Sequence, residues 1–235
     1  MLAILLAAVN ARNQEWLLHR PFFSGTALGP ILGTIPSQMH HESRIITVFG
    51  SSRPRPGEPD YEQARLLGSA LAALGFRVCT GGYCGVMEAA SRGAKESGGR
   101  TLAVTAKFFR SGTNAWVDEE HAVETWQERL FELIRLGHGF VACKGGTGTM
   151  AELAVVWEML NKDVISGKPF AVLGDFWAPI LERVREVEMA HGSRRGEAVA
   201  RLVHVVSTPA EAANFFARTL IHQKAISPKT TSQER

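Results

Sequence analysis

No stretch of this sequence is both apolar and long enough to span a bilayer. The apolar opening, Met1 to Val9, has less than half of the ~20 residues that a spanning helix needs. Val9-Asn10-Ala11 loosely resembles a small-residue cleavage site, yet no positive charge precedes the run, so a secretion signal is not expected. Basic clusters are scarce as well: Lys and Arg never exceed a pair, and 26 of them against 23 Asp and Glu leave a net charge of +3. That argues against a partner that is nucleic acid or a membrane surface. The three cysteines, Cys79, Cys84 and Cys143, are odd in number and lack zinc-ligand spacing, which excludes a disulfide framework and points to a reducing, cytoplasmic setting. The eight histidines are scattered, and the adjacent pair His40-His41 reads as a surface pair, so no metal site is expected. Small molecules are the partners these exclusions leave.

What is present is an ordinary globular composition, 45% hydrophobic and 21% charged over 235 residues, which suits one core. Residues 1–38 pass through Pro21, Gly25, Gly29, Pro30, Gly33 and Pro36 without a sustained period and read as an irregular extension, with Met39 a candidate natural start. Residues 39–225 form the expected single domain. The tail 226–235, rich in Ser, Thr and Lys, reads as disordered.

Within that domain short β-rich runs alternate with helical patterns, the signature of βαβ units and a parallel sheet. Strands are expected at 44–49, 76–80, 101–105, 139–143, 170–174 and around 202–206. Helices are expected at about 60–74, 86–97, 124–136, 150–161, 177–190 and 209–222, with the span around Ser111-Gly112 and Trp116 irregular. Asp60 is a plausible N-cap, and Leu66, Leu67, Ala70, Leu71 and Leu74 recur on one helical face. Trp157, Met159 and Leu160 suggest burial against the sheet, a neighbouring helix or a second subunit. The fold class is α/β: a Rossmann-like, doubly wound, mostly parallel sheet with helices on both faces.

The loops carry the chemistry. Lys144-Gly145-Gly146-Thr147-Gly148-Thr149 follows a strand and enters a helix, a layout in which backbone N–H groups and the positive helix end hold a phosphate. Gly81-Gly82-Tyr83-Cys84-Gly85 follows the second strand, and Gly50-Ser51-Ser52 the first; all three should face the crevice at the carboxyl ends of the strands. Any one of them alone would be a tight turn. Glu152 lies three residues after Thr149, which fits a capping box and equally a carboxylate in the first helical turn beside the loop's ligand. Arg129 falls in register with Leu133 and Leu136 on a face that should be apolar, so its guanidinium either meets a partner or snorkels to solvent.

The runs Val48-Phe49-Gly50-Ser51-Ser52, Gly81-Gly82-Tyr83-Cys84-Gly85-Val86-Met87 and Gly145-Gly146-Thr147-Gly148-Thr149-Met150-Ala151-Glu152 together resemble the LOG ("Lonely Guy") family, once labelled lysine decarboxylases. The match spans roughly Arg44 to Leu181. The resemblance implies a nucleotide phosphoribohydrolase, usually a homodimer, that releases a free base and ribose 5-phosphate from an AMP-like or cytokinin-type nucleoside 5′-monophosphate. It implies Glu152 and Arg129 as catalytic residues, with Gly50, Ser51, Gly81, Gly82, Gly85, Gly145, Gly146, Thr147, Gly148 and Thr149 around the substrate. Glu152 would stabilise the oxocarbenium-like sugar and orient water, and Arg129 would pair with it, keep it ionised and contact the nucleotide.

Two positions depart from the family pattern. Lys144 stands where a proline is usual, placing an ammonium near the expected phosphate, and Leu130 follows Arg129 where the cytokinin-activating members tend to have Lys. No cofactor is implied: a pyridoxal-phosphate enzyme needs a Schiff-base lysine and an acidic partner for the ring, and no such constellation is recognisable. A non-catalytic nucleotide-binding or sensing protein is the alternative, since Gly146-Thr147-Gly148-Thr149-Met150-Ala151 fits G-x-G-x-x-A. Asp175, the candidate ribose-binding acid, lies 27 residues beyond Gly148 where ~20 is usual.

Overall fold

The computed structural model describes residues 44–109, 111–190 and 201–222, all within one unit, His40–Arg235. The expectations for residues 1–38, the start at Met39, His40-His41 and the tail 226–235 lie outside the described residues.

Ile45-Ile-Thr-Val-Phe49 is rich in β-branched residues and forms the central strand β1. Its side chains alternate between two cores: Ile46 and Val48 point into one, Ile45 and Phe49 into the other. Around it the chain builds α1 (Pro59–Ala73), β2 (Arg77–Thr80), α2 (Val86–Glu96), β3 (Thr101–Ala106), β4 (Glu119–Val123), α3 (Trp126–Leu136), β5 (Gly139–Ala142), α4 (Thr147–Asn161), β6 (Phe170–Leu173), α5 (Ala178–Met189), β7 (Val203–Val206) and α6 (Pro209–His222). The seven strands lie in the order β4-β3-β2-β1-β5-β6-β7, and every pairing is parallel. Residues of α1, α2 and α6 cover one face, and residues of α3, α4 and α5 the other. That sandwiching explains why β1, β3, β5 and β6 are buried along their whole length. The doubly wound expectation therefore holds.

Four local expectations change. Strand β4, Glu-Glu-His-Ala-Val, falls in the span read as irregular; it is a largely exposed edge strand without an apolar pattern, and backbone pairing to β3 alone defines it. Helix α1 is capped by Glu58, with Pro59 and not Asp60 opening it, because proline's fixed φ suits the first helical position. Its buried face is Tyr61, Ala64, Leu67, Gly68 and Leu71, leaving Leu66 60% and Leu74 45% exposed: the 3.6-residue period carries Leu66 to the opposite side, and Leu74 lies past the last helical residue as the C-cap. Helix α4 begins at Thr147 and not Met150, with consequences for the site. Trp157, Met159 and Leu160 are buried in the α3–α5 core of the chain itself.

Candidate functional site

Chain order reverses between β1 and its neighbour β5: β1 leads through α1 to β2 on one side, β5 through α4 to β6 on the other. The loops leaving these two strands diverge and open a cleft of about 1160 Å³, where open parallel sheets bind ligands. Ser51 N donates to the Lys144 carbonyl at 3.3 Å, tying the two loops at its floor.

On the β5 side, Gly146 is the N-cap of α4 and makes no side-chain cap. By helix geometry the first amides lack intrahelical acceptors, and Gly146, Thr147 and Gly148 are exposed toward the cleft they line. A helix beginning this early removes the expected capping box. Thr149 is the third residue of the helix and buried, packed against Gly145 so closely that a Cβ there would overlap its hydroxyl. Glu152 accordingly projects from the second turn, not the first.

Arg129 crosses to Glu152 from α3. The Thr125–Glu128 capping box sets the start of that helix, one turn before the arginine. Arg129 is 6% exposed and does not snorkel: its Nε donates to the Val104 carbonyl at 2.9 Å, Nη2 lies 3.7 Å from Met87 Sδ, and Nη1 lies 3.6 Å from Glu152 Oε1. The Tyr83 and Phe109 rings stand 5.4 and 5.8 Å from its guanidinium carbon. Within these walls burial pushes the Glu152 carboxyl up to about 7, against the opposing pull of Arg129. Desolvation thus works against the expected role of Arg129 in keeping Glu152 ionised.

The structure brings Gly50, Ser51, Arg129, Gly145, Gly146, Thr147, Gly148, Thr149 and Glu152 to one cleft. Gly81, Gly82 and Gly85 are buried and do not line it. Gly81 lies against Arg129, where a Cβ would overlap Nη2, and Gly85, at φ 69°, packs against the Ser51 carbonyl. Their place is behind the site, shaping it. Tyr83 and Cys84 of the same loop do line the cleft, as do Met87, Phe109, Trp126, Arg53 and Arg55, which sequence reading left unassigned. Only Arg53-Pro54-Arg55-Pro56, two cations spaced by prolines after a glycine loop, was there to be noticed. Lys144 lines the rim with its Nζ 2.9 Å from Asp60 Oδ2, so its charge is already paired. Asp175 is exposed and outside the lining, which leaves the dinucleotide pattern without its acid. Among the described residues no group of three or more His, Cys, Asp or Glu could hold a metal, and no helix is long and apolar enough to cross a membrane.

A family model, that of the SLOG cluster4 family, matches residues 43–201, from just before β1 to just before β7. The chain belongs to this family. Its LOG-type character is carried by curated relatives. The cytokinin riboside 5′-monophosphate phosphoribohydrolase LOG of Oryza sativa subsp. japonica is 32% identical over 65% of this chain and 66% of its own length. The cytokinin riboside 5′-monophosphate phosphoribohydrolase of Mycobacterium marinum is 35% identical over 43% and 57%. A pyrimidine/purine nucleotide 5′-monophosphate nucleosidase of Escherichia coli is 28% identical over 46% of this chain but only 27% of its own. The chain therefore spans from about a quarter to two thirds of the length of these curated relatives. Among solved structures, the molybdenum cofactor carrier protein of Chlamydomonas reinhardtii is similar with a TM-score of 0.56 and 26% identity, over 76% of this chain and 99% of that one. The molybdenum cofactor binding protein of Rippkaea orientalis, at 24% identity and a TM-score of 0.60 over 76% and 98%, shares the fold.

Proposed function

We propose that this SLOG protein hydrolyses the N-glycosidic bond of a nucleoside 5′-monophosphate, releasing a free base and ribose 5-phosphate. One observation carries the reading: a largely enclosed carboxylate, Glu152, 13% exposed, and a buried guanidinium, Arg129, meet 3.6 Å apart directly behind the open amide end of α4. The amides of Thr147 and Gly148 suit the 5′-phosphate, whose charge the helix end favours. A phosphate held there sets the ribose beside Glu152. As the glycosidic bond breaks, positive charge grows on the sugar, and ionised Glu152 stabilises it while aligning the water that attacks the anomeric carbon. Arg129 holds the carboxylate in place and supplies countercharge to the phosphate. Tyr83, Phe109 and Trp126 offer aromatic faces on which a base can stack. The curated relatives named as phosphoribohydrolases support this chemistry, and a homodimer in the cytoplasm is the setting we propose for it.

A panel of nucleoside monophosphates, including adenosine and isopentenyladenosine forms, assayed for free base and ribose 5-phosphate, tests the proposal with Glu152→Gln as control. Release that disappears in the control supports it and names the base. The likeness to a molybdenum cofactor carrier favours a second reading, a binding protein without turnover; nucleotide binding with no release would establish that reading instead.

A further inference from the structure

Strand β3 outruns its neighbour β2. The last pair between them is Thr80 with Ala103, so the buried Ala106, at the end of β3, has no residue of β2 opposite it. The Tyr83 side chain, returning from the β2–α2 loop, takes that place: its hydroxyl accepts from Ala106 N at 3.0 Å and donates to the Ala106 carbonyl at 3.3 Å. A phenol thus does for the end of β3 what a strand partner does elsewhere, pairing an amide and a carbonyl that are costly to leave unmet. The backbone beneath the ring is braced as well, because Asn114 Nδ2 donates to the Gly82 and Tyr83 carbonyls, each at 3.0 Å.

The same strand end serves the catalytic pair. The Val104 carbonyl holds Arg129 Nε, Ala106 holds Tyr83, and the chain then enters the short 3₁₀ turn Lys107–Phe109. The Tyr83 and Phe109 rings meet edge to face, with centroids 5.5 Å apart, and both stand over the Arg129 guanidinium. Aromatic surface therefore lies where water would otherwise solvate the cation, 3.6 Å from whose Nη1 is Glu152. Ring packing of this kind needs no hydroxyl. The two bonds to Ala106 are what tyrosine adds over phenylalanine.

We infer that Tyr83 is a positioning residue: through its two hydrogen bonds to Ala106 it fixes the Tyr83–Phe109 wall against Arg129, and so keeps the Arg129–Glu152 pair in place and shielded from water. The consequence for turnover rests on the proposed hydrolysis, whereas the hold on the pair is measurable without substrate. Loss of the hydroxyl loosens the wall and admits water, which favours the charged carboxylate. Among the described residues Arg129 is the charged group that bears on the Glu152 carboxyl, and desolvation is the larger influence. Relief of desolvation therefore outweighs any weakening of the pull from Arg129, and Glu152 should titrate at lower pH.

The test is ¹³C NMR of the full chain with labelled glutamate carboxyls, Glu152 being assigned by the signal that Glu152→Gln lacks, beside pH profiles of kcat/KM for adenosine 5′-monophosphate. The parent midpoint should lie at about 7. In Tyr83→Phe it should move acidward by about half a pH unit or more, taking the acidic limb of kcat/KM with it, and kcat should fall about tenfold as the guanidinium drifts. The ring survives in this variant, so KM should change little. Phe109→Leu alters the wall from its other side without touching the hydroxyl and should move Glu152 the same way. An unmoved midpoint in folded Tyr83→Phe overturns the inference even if kcat falls, since Tyr83 would then be a structural support alone; should that variant not fold, an unmoved midpoint in Phe109→Leu overturns it. The hydrolytic reading survives either result. A midpoint that moves while the parent releases no base from any nucleotide of the panel overturns the hydrolytic reading and leaves the hold of Tyr83 on the pair standing.

Discussion

The guanidinium of Arg129 lies where a side chain on Gly81 would begin, so the absence of a Cβ at one position lets a buried cation reach Glu152 from a helix 48 residues further along the chain. Gly81 holds no ligand in this arrangement; it makes room for the residue that positions the carboxylate.

Gly81→Ala should therefore impair turnover without emptying the phosphate end of the cleft. The added methyl displaces Nη2, and a shift on the order of 1 Å in a catalytic group lowers rate by roughly 100-fold. Overpacking should also destabilise the fold by about 1–3 kcal/mol. Steady-state kinetics beside a nucleotide titration check this: a fall in kcat with nearly unchanged Kd is expected, and parent-level kcat would remove Gly81 from the role assigned to it.

Glu152 should set the acidic limb of the pH profile. With its carboxyl pushed up to about 7, the ionised form that stabilises the sugar cation accumulates only as pH rises through that value. Expected is a kcat/KM that climbs between about pH 6 and 8, which a rate profile would show directly. The same group links stability to pH in the opposite direction. Its folded value lies above the ordinary 4.5, so the stabilisation from the retained proton is complete below about 4.5 and is lost as pH rises through about 7. Thermal unfolding of the parent should fall relative to Glu152→Gln between pH 5 and pH 8.

Cys84 should be the thiol that reports occupancy. It is exposed in the cleft, whereas Cys79 and Cys143 are buried and burial pushes both thiols up to about 12. A maleimide should label one cysteine in the folded protein, identified as Cys84 by peptide mass, and a bound nucleotide should slow the labelling several-fold. Labelling that is blind to nucleotide would separate the ligand from this wall.

Lys144→Ala should change stability by less than about 1 kcal/mol, because its ion pair with Asp60 is half exposed and screened. Chemical denaturation measures this. A much larger loss would show that the β5–α4 loop depends on this lysine.

Much of this architecture is legible along the chain because its causes are local. The β-branched run of β1, the amphipathic spacing of α3 and the glycine loop before α4 each act over a few residues, and all mark where strands, helices and phosphate-binding turns belong. The order of the motifs likewise placed the chain in its family. Strand β4 escaped because its five residues carry no apolar alternation, and its pairing partner β3 lies more than a dozen residues upstream. The Thr149–Glu152 spacing misled for a related reason: it fits a capping box, but the helix begins at Thr147, where the backbone leaving β5 turns over Gly146. Which glycines line the cleft and which make room for Arg129, whether Lys144 is free or paired, and how far Glu152 departs from an ordinary carboxylate all depend on neighbours distant in sequence. Secondary structure answers to propensity and period over one or two turns, which a sequence displays. Desolvation and charge pairing answer to distances across a packed core, and those exist only once the sheet has brought β1, β5 and their loops together.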